Sequence, residues 1–167
     1  MAIHTQGVLS QLPKSLQSFL TVFVLVMSFG YGVGVVYIMK TSGTTALSLQ
    51  QNYIGNEDDE EAKEMKFKKP EKAILTLVHG HIVSFALIFG SMGLMLMFSS
   101  YSQTLVRFLA IEPLISTITT FVGIWLIWSE VYWMKYVVIV SGTLMHLSFA
   151  TMVVLILLDL NRAKLSA

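Results

Sequence analysis

Four long apolar segments dominate the pattern of hydrophobic and polar positions along the chain. They cover about residues 16–39, 73–98, 105–128 and 136–158. The hydrocarbon core of a bilayer requires about 20 apolar residues in helical form, and each segment meets that length. Because lipid offers no hydrogen-bonding partner to the backbone, each span must be helical. The pattern therefore predicts an all-α integral membrane four-helix bundle, a single transmembrane domain over residues 1–167.

One long charged loop, residues 41–72, connects the first two predicted helices. It carries five consecutive acids, Glu57–Glu61, followed by several lysines. The simpler interpretation is a solvated connector, with one or two helical turns between Glu60 and Lys68 and a turn at Asn52–Glu57. The alternative interpretation is an acidic docking surface for a basic partner such as a soluble cytochrome.

The number of spans determines the predicted topology. With four spans both chain ends lie on one side of the membrane, and the polar loop lies on the other. Tryptophan and tyrosine cluster between Trp125 and Tyr136, which marks the membrane surface on the loop side. Lysine and arginine are more numerous on the loop side, but Lys14 precedes the first span. The orientation is therefore left open, and we expect a bacterial cytoplasmic membrane.

Composition agrees with a lipid environment. The chain is 54% hydrophobic and 13% charged, about half the charged fraction of a soluble domain. A net charge of +1 gives no reason to expect nucleic-acid binding. With no cysteine, the chain supplies no disulfide, no thiolate metal ligand and no covalent haem attachment. No sequence motif of a soluble catalytic class is present.

Three histidines, His79, His81 and His146, lie within predicted spans. An ionisable side chain in hydrocarbon is costly without a partner, so such residues are typical of functional sites. His79 and His81 lie about 200° apart around their helix and point in nearly opposite directions. The face of His79 continues through small residues, and the face of His81 continues through bulkier ones. The small residues on the His79 face are Val83, Ala86, Gly90 and Gly93. The bulkier residues on the His81 face are Ser84, Phe85 and Ile88.

Depth provides a second criterion for the histidines. Counted at 1.5 Å per residue from the loop side, all three lie in one half of the bilayer. His81 and His146 match best in depth, whereas His79 has the better face for close packing. The choice between His79 and His81 as the partner of His146 therefore stays open.

A flat cofactor would explain the surroundings of His146. Gly142 and Ala150 lie one turn before and after it, which leaves clearance for a macrocycle. Histidines from facing helices are the usual axial ligands of haem in a membrane bundle. The candidate metal ligands are thus His79, His81 and His146. Gly142, Ala150 and Ser84 complete the candidate site for haem b, with Ser84, Ser141, Thr143 and Ser148 as candidate partners for the second imidazole nitrogen.

Two further features have a structural and a functional interpretation. Gly30 and Gly34 form a pair spaced for close helix contact. Glu112-Pro113 is explained as the start of the third helix, preceded by an interfacial segment. Alternatively, Glu112 is a proton-handling group near a quinone pocket, on the membrane side opposite the histidines.

The general layout resembles small four-helix membrane cytochrome b subunits, although no diagnostic motif supports carrying residues over. The leading hypothesis is a subunit of an electron-transfer chain, such as a respiratory chain, which need not catalyse a reaction by itself. Its expected partners are lipid, other membrane subunits and a quinone or a soluble cytochrome at Glu57–Glu61. The alternatives are a non-catalytic accessory or assembly subunit and a small proton-coupled transporter.

Overall fold

The computed structural model describes residues 7–43, 45–57 and 64–162, and within them the structure is helical, with no strand. It contains α1 (Lys14–Thr41), α2 (Ala46–Ile54), α3 (Glu71–Met97), α4 (Gln103–Trp128) and α5 (Met134–Leu160), with a short 3-10 turn at Leu9–Gln11. Among these, α1, α3, α4 and α5 are long and apolar enough to cross a membrane. Their ends agree with the four predicted spans within two residues, so the predicted fold class is confirmed.

The bundle is built around α4. This helix packs along both α3 and α5, and half of its most apolar stretch is buried. In contrast, α1 packs mainly on α5, and Val24 is its one fully buried residue among the described residues. Two hydrophobic clusters result. One surrounds Phe89, Met152 and Ile156 near the chain ends, and the other surrounds Ile74 and Ile127 near the loop side.

Two glycines allow the close approach of α4 to its neighbours. A Cβ at Gly93 of α3 would lie 3.3 Å from the Cβ of Ala110. A Cβ at Gly123 of α4 would lie 2.6 Å from Val138 Cγ2 and 3.3 Å from Met134 Cε on α5. Small residues bring helix backbones together where lipid provides no hydrophobic driving force. The hydrogen bond between the hydroxyls of Thr120 and Ser141, 2.7 Å long, also joins α4 to α5.

The predicted helix start at Glu112-Pro113 is wrong. The helix begins at Gln103, and Pro113 lies in its interior. The segment before Glu112 is therefore part of the span and not an interfacial strip. Proline is tolerated inside membrane helices. The carbonyl of Pro113 itself accepts a bond from the hydroxyl of Thr117, one turn later, over 2.7 Å.

The polar loop contains a helix that the sequence pattern did not predict. Thr45 caps the start of α2 through a reciprocal pair of bonds with Ser48, 3.0 and 3.1 Å long. The helix ends at Gly55, whose φ of 87° lies in the region that favours glycine. A Cβ there would also lie 2.8 Å from the carbonyl oxygen of Lys66. The predicted turn at Asn52–Glu57 thus coincides with the end of α2.

Side-chain bonds tie α2 to the spans. Asn52 donates to Ser42 at the end of α1 over 3.0 Å, and Lys135 of α5 donates to Gln50 over 2.7 Å. Tyr53 is buried against α4 and α5. This part of the loop is therefore a packed cover of the bundle and not a solvated connector.

The charged part of the loop is described only at its edges. Glu57 is exposed, and residues 58–63, which include most of the acidic run and Glu60, lie outside the described residues. From Glu64 to Pro70 the backbone is not helical, so the predicted helical turns are absent from that stretch. Lys68 forms an ion pair of 2.8 Å with Glu130 in the connection between α4 and α5.

A network of polar bonds closes the end of the bundle near the chain termini. Asp159 of α5 is fully buried and accepts bonds from Ser100, 2.6 Å from the hydroxyl and 3.3 Å from the backbone amide. The amides of Gly7 and Leu9 donate to the carbonyls of Ser99 and Phe98. The connection between α3 and α4 is thereby held by both ends of the chain.

We expect the Gly123→Leu variant to lose stability because a larger side chain would push α5 away from α4. Overpacking of a close contact costs about 1–3 kcal/mol. The thermal unfolding midpoint in detergent should fall relative to the unmodified protein. The matched control is Gly32→Leu on α1, where a Cβ meets nothing within 4 Å. Equal midpoints for the two variants would contradict the proposed role of the contact.

Candidate functional site

A cavity of about 660 Å³ lies among α1, α3, α4 and α5, beneath α2. Its volume is in the range of cofactor and ligand sites, roughly 300–1,000 Å³. Both histidines with the best match in predicted depth, His81 and His146, line it. Their positions ten and twelve residues into α3 and α5 place them about 15 and 18 Å from the loop-side ends of these parallel helices. The cavity thus reaches the middle of the bilayer.

The structure separates the two neighbouring histidines of α3. His81 lines the cavity together with Ser84 and Phe85 of the same face. Both histidines are exposed in the isolated chain, but His79 does not line the cavity. On the face predicted for close packing, Gly93 meets another helix, whereas Gly90 has open space beside it. The cavity face of α3 is therefore the bulkier one.

The hydrogen bonds of His81 and His146 follow one pattern. The Nδ1 atom of His81 lies 2.8 Å from the carbonyl oxygen of Leu77, and that of His146 lies 2.5 Å from the carbonyl oxygen of Gly142. A carbonyl only accepts, so Nδ1 must carry the proton. In the neutral ring, Nε2 then retains a lone pair, which is the form in which histidine binds a metal.

Three of the four serine and threonine side chains predicted to orient the histidines bond elsewhere. Ser141 bonds to Thr120, Ser148 bonds to Glu112, and Thr143 donates to the carbonyl of its own helix at Ile139. Backbone carbonyls hold the imidazole rings instead. The carbonyl four residues earlier is always within reach on a helix, so no special side chain is needed.

Aromatic rings connect the two histidines along the cavity wall. The ring of His81 lies 4.8 Å from that of Phe121 on α4, and the ring of His146 lies 5.4 Å from that of Tyr31 on α1. Phe85 contacts both of these neighbours, with centroids 5.5 and 5.7 Å away. The wall thus combines side chains from all four spans, which gives an apolar site with few polar groups.

Glycines make the space in this cavity. A Cβ added at Gly30, Gly34, Gly80 or Gly142 would meet nothing within 4 Å, and all four residues line the cavity. The predicted close contact of another helix at Gly30 and Gly34 is therefore wrong within the described residues. Gly142 lies in the cavity wall as predicted, but Ala150 is exposed and lies outside the wall.

The loop-side end of the cavity is more polar. Ser42, Asn52, Tyr53 and Lys69 line it. The ammonium group of Lys69 lies 5.9 Å from the centre of the Tyr53 ring, and its carbonyl accepts a bond from the indole of Trp128 over 2.7 Å. The cavity therefore runs from a polar end beneath α2 to an aromatic end in the bilayer.

Glu112 lies nearer to the histidines than its predicted position. It is half-buried, and its carboxyl oxygens accept bonds from Ser116 on α4 and Ser148 on α5. Ser148 lies only two residues after His146. Glu112 does not line the cavity, but it belongs to the same level of the bundle.

The described residues contain no group of three or more histidine, cysteine, aspartate or glutamate side chains that could hold a metal ion. The three candidate ligands His79, His81 and His146 therefore do not converge on one ion there. Two histidines that face one cavity would still suffice to hold a metal-containing macrocycle, because the macrocycle supplies the remaining ligands of its metal.

Comparison with known proteins gives a family. The family model Aq_1264_TM, described as a transmembrane helical domain, matches residues 43–166, which is about three quarters of the chain. The chain belongs to this family of transmembrane helical domains. The matched part contains α2 to α5, and α1 precedes it. None of the curated proteins and none of the solved structures compared with the chain matches it.

Some site residues were missed by sequence reasoning. Tyr31 and Phe121 carry the aromatic wall, yet each is one apolar residue among many in its span. The spans are apolar on all sides, so periodicity gives no indication of which face is turned inward. For α2, the Thr45–Ser48 pair is a helix-start signal that could have been found.

We expect α2 to detach from the bundle at alkaline pH. Burial raises the pKa of the Tyr53 hydroxyl above its ordinary value of about 10. The stabilisation from burying this neutral hydroxyl is therefore fully present below about pH 10, and it is lost as the pH rises through the folded-state pKa. As the pH rises above about 10, the thermal midpoint of the protein in detergent should fall more steeply than that of Tyr53→Phe.

The other tyrosines are common to both proteins, so the difference between the curves reports Tyr53 alone. Two curves that fall in parallel would show that Tyr53 does not couple ionisation to the packing of α2.

Proposed function

We propose that the protein is a membrane subunit of an electron-transfer chain and binds a b-type haem between His81 and His146. The observation that carries this proposal is the position of two histidines, from two helices, on one apolar cavity in the middle of the membrane. A b-type haem supplies reversible one-electron transfer when it is bound. The protein chain supplies the ligands, the orientation and the apolar surroundings.

The donor atoms fit this group. Both imidazoles give their Nδ1 proton to a carbonyl of their own helix, which fixes the ring and directs the Nε2 lone pair away from the backbone. No cysteine is available for a covalent link, so the haem would be of the non-covalent b type.

The available space also supports the proposal. The four glycines of the wall come from α1, α3 and α5, and they leave room for a flat group beside the two histidines. At the loop-side end, Lys69 and Asn52 provide polar atoms for the charged edge of such a group. An apolar interior with a cationic end suits an amphipathic cofactor.

The first test is an absorption spectrum of the protein expressed in membranes with haem supplied. We expect a Soret band that shifts on reduction. His81→Ala and His146→Ala should each remove most of it because each deletes one axial ligand. The matched control is His79→Ala, which changes a histidine two residues away that does not line the cavity.

Two outcomes would overturn the proposal. One is a folded but colourless unmodified protein. The other is an equal loss of absorbance in His79→Ala and His81→Ala, since that would show that lining the cavity does not determine which histidine binds the haem.

A second variant tests the cavity without touching a ligand. Gly142→Leu places a side chain in the cavity wall and leaves the backbone carbonyl that holds His146. We expect the haem content to fall at least several-fold with little change in the thermal midpoint of the haem-free protein. Gly32→Leu, which lies outside the cavity wall, should keep its haem.

The second candidate function is that of a non-catalytic accessory subunit. The large exposed surface of α1 favours it, because a partner helix could replace lipid there. On that hypothesis the protein is colourless, and a larger membrane complex retains it when both cavity histidines are replaced.

A further inference from the structure

The second polar cluster inside the membrane surrounds Glu112. This residue lies nine positions into α4, about 14 Å from the Gln103 end of the helix. A carboxyl at this depth is in hydrocarbon, where a charge without a partner is strongly unfavourable. Within the described residues, no lysine or arginine lies within ion-pair distance of it. Its partners are two serine hydroxyls.

Those partners suit a group that changes its charge. Ser116 and Ser148 hold the two carboxyl oxygens from two different helices. A serine hydroxyl can donate to an ionised carboxylate, and after rotation it can accept from a protonated one. A fixed cation such as lysine would stabilise the ionised form alone. The cluster therefore accommodates both protonation states with small rotations.

An independent observation points to the same place. The hydroxyl of Tyr31 is buried and is the one buried side-chain polar atom without a hydrogen-bond partner among the described residues. Its ring stacks on that of Phe149 with centroids 3.9 Å apart, next to Ser148. Buried hydroxyls are rarely left unpaired unless they serve a ligand or a water.

Few other titratable groups surround the cluster. The nearest titratable side chain on α1 is Tyr31. The nearest one on α5 is His146, which lies two residues before Ser148. The part of α3 that packs here, Phe89–Leu96, contains no titratable side chain. On α4 the closest charge in sequence is the exposed Arg107.

We infer that Glu112, Ser116 and Ser148 form a site that takes up and releases a proton inside the membrane. In the step, a proton adds to one carboxylate oxygen of Glu112, and the serine bonded to that oxygen turns from donor to acceptor. Release reverses both changes. No oxidant or reductant is involved, so the site is independent of the haem proposal. Tyr31, whose ring forms part of the cavity wall, also stacks on Phe149, the residue after Ser148.

Infrared spectroscopy of the protein in lipid tests the inference. The difference between spectra at low and high pH should contain a carbonyl band of a protonated carboxylic acid. The band should be absent from Glu112→Gln, an isosteric change that removes the titratable group. Asp159, the other buried carboxyl among the described residues, is present in both proteins and cancels in the comparison.

Two results would overturn the inference. A Glu112 band that persists unchanged over the whole pH range would show a permanently protonated structural group. The absence of any such band at low pH would show a permanently ionised one.

A second variant locates the band in this cluster. Ser148→Ala removes one hydrogen bond to the carboxyl of Glu112. A hydrogen bond weakens the C=O bond, so its loss should move the carbonyl band to higher wavenumber. Ser28→Ala is the matched control, since Ser28 bonds only to the carbonyl of Val24 in its own helix. An equal band position in both variants would contradict the assignment.

Discussion

Hydrocarbon offers no hydrogen bonds, so every polar group within the spans must find its partner inside the protein. Most serine and threonine hydroxyls solve this locally by donating to the carbonyl four residues earlier, and the two cavity histidines do the same. A few side chains also bond across helices, such as Thr120 with Ser141 and Glu112 with Ser148. These cross-helix bonds are the points at which the bundle departs from simple apolar packing, and both lie on the interface of α4 and α5.

The same interface explains the shape of the site. Glycine and small residues hold α4 tightly between α3 and α5, whereas α3 and α5 have little direct contact with each other. The space between α3 and α5 is closed on one side by Phe121 of α4 and on the other by Tyr31 of α1. The family match covers α2 to α5 and leaves out α1. The wall formed by α1 therefore lies outside the part of the chain that the family model matches.

Sequence reasoning succeeded where a single physical quantity decides the outcome. The spans follow from length and apolarity, and the shared level of His81 and His146 follows from the rise of a helix. It failed where the outcome depends on the rotation of a helix about its axis, or on which of two structures the same residues favour. The glycines at 30 and 34 indicate space, but the sequence does not state whether a helix or a cavity occupies it. Glu112-Pro113 has the signature of a helix start, yet the preceding apolar turns continue the helix because lipid penalises an open backbone. The position of Tyr31 depends on the rotation of a helix that is apolar all round.

The loosely held α1 has a consequence for how a ligand reaches the cavity. Because α1 is largely exposed and contacts mainly α5, the side of the cavity with the least protein packing faces the bilayer and not the water beyond α2. An apolar molecule dissolved in the membrane could enter sideways, between helices, without crossing an aqueous phase. Its occupancy would then follow its mole fraction in the lipid, so dilution of the membrane with detergent would empty the site even at constant bulk concentration.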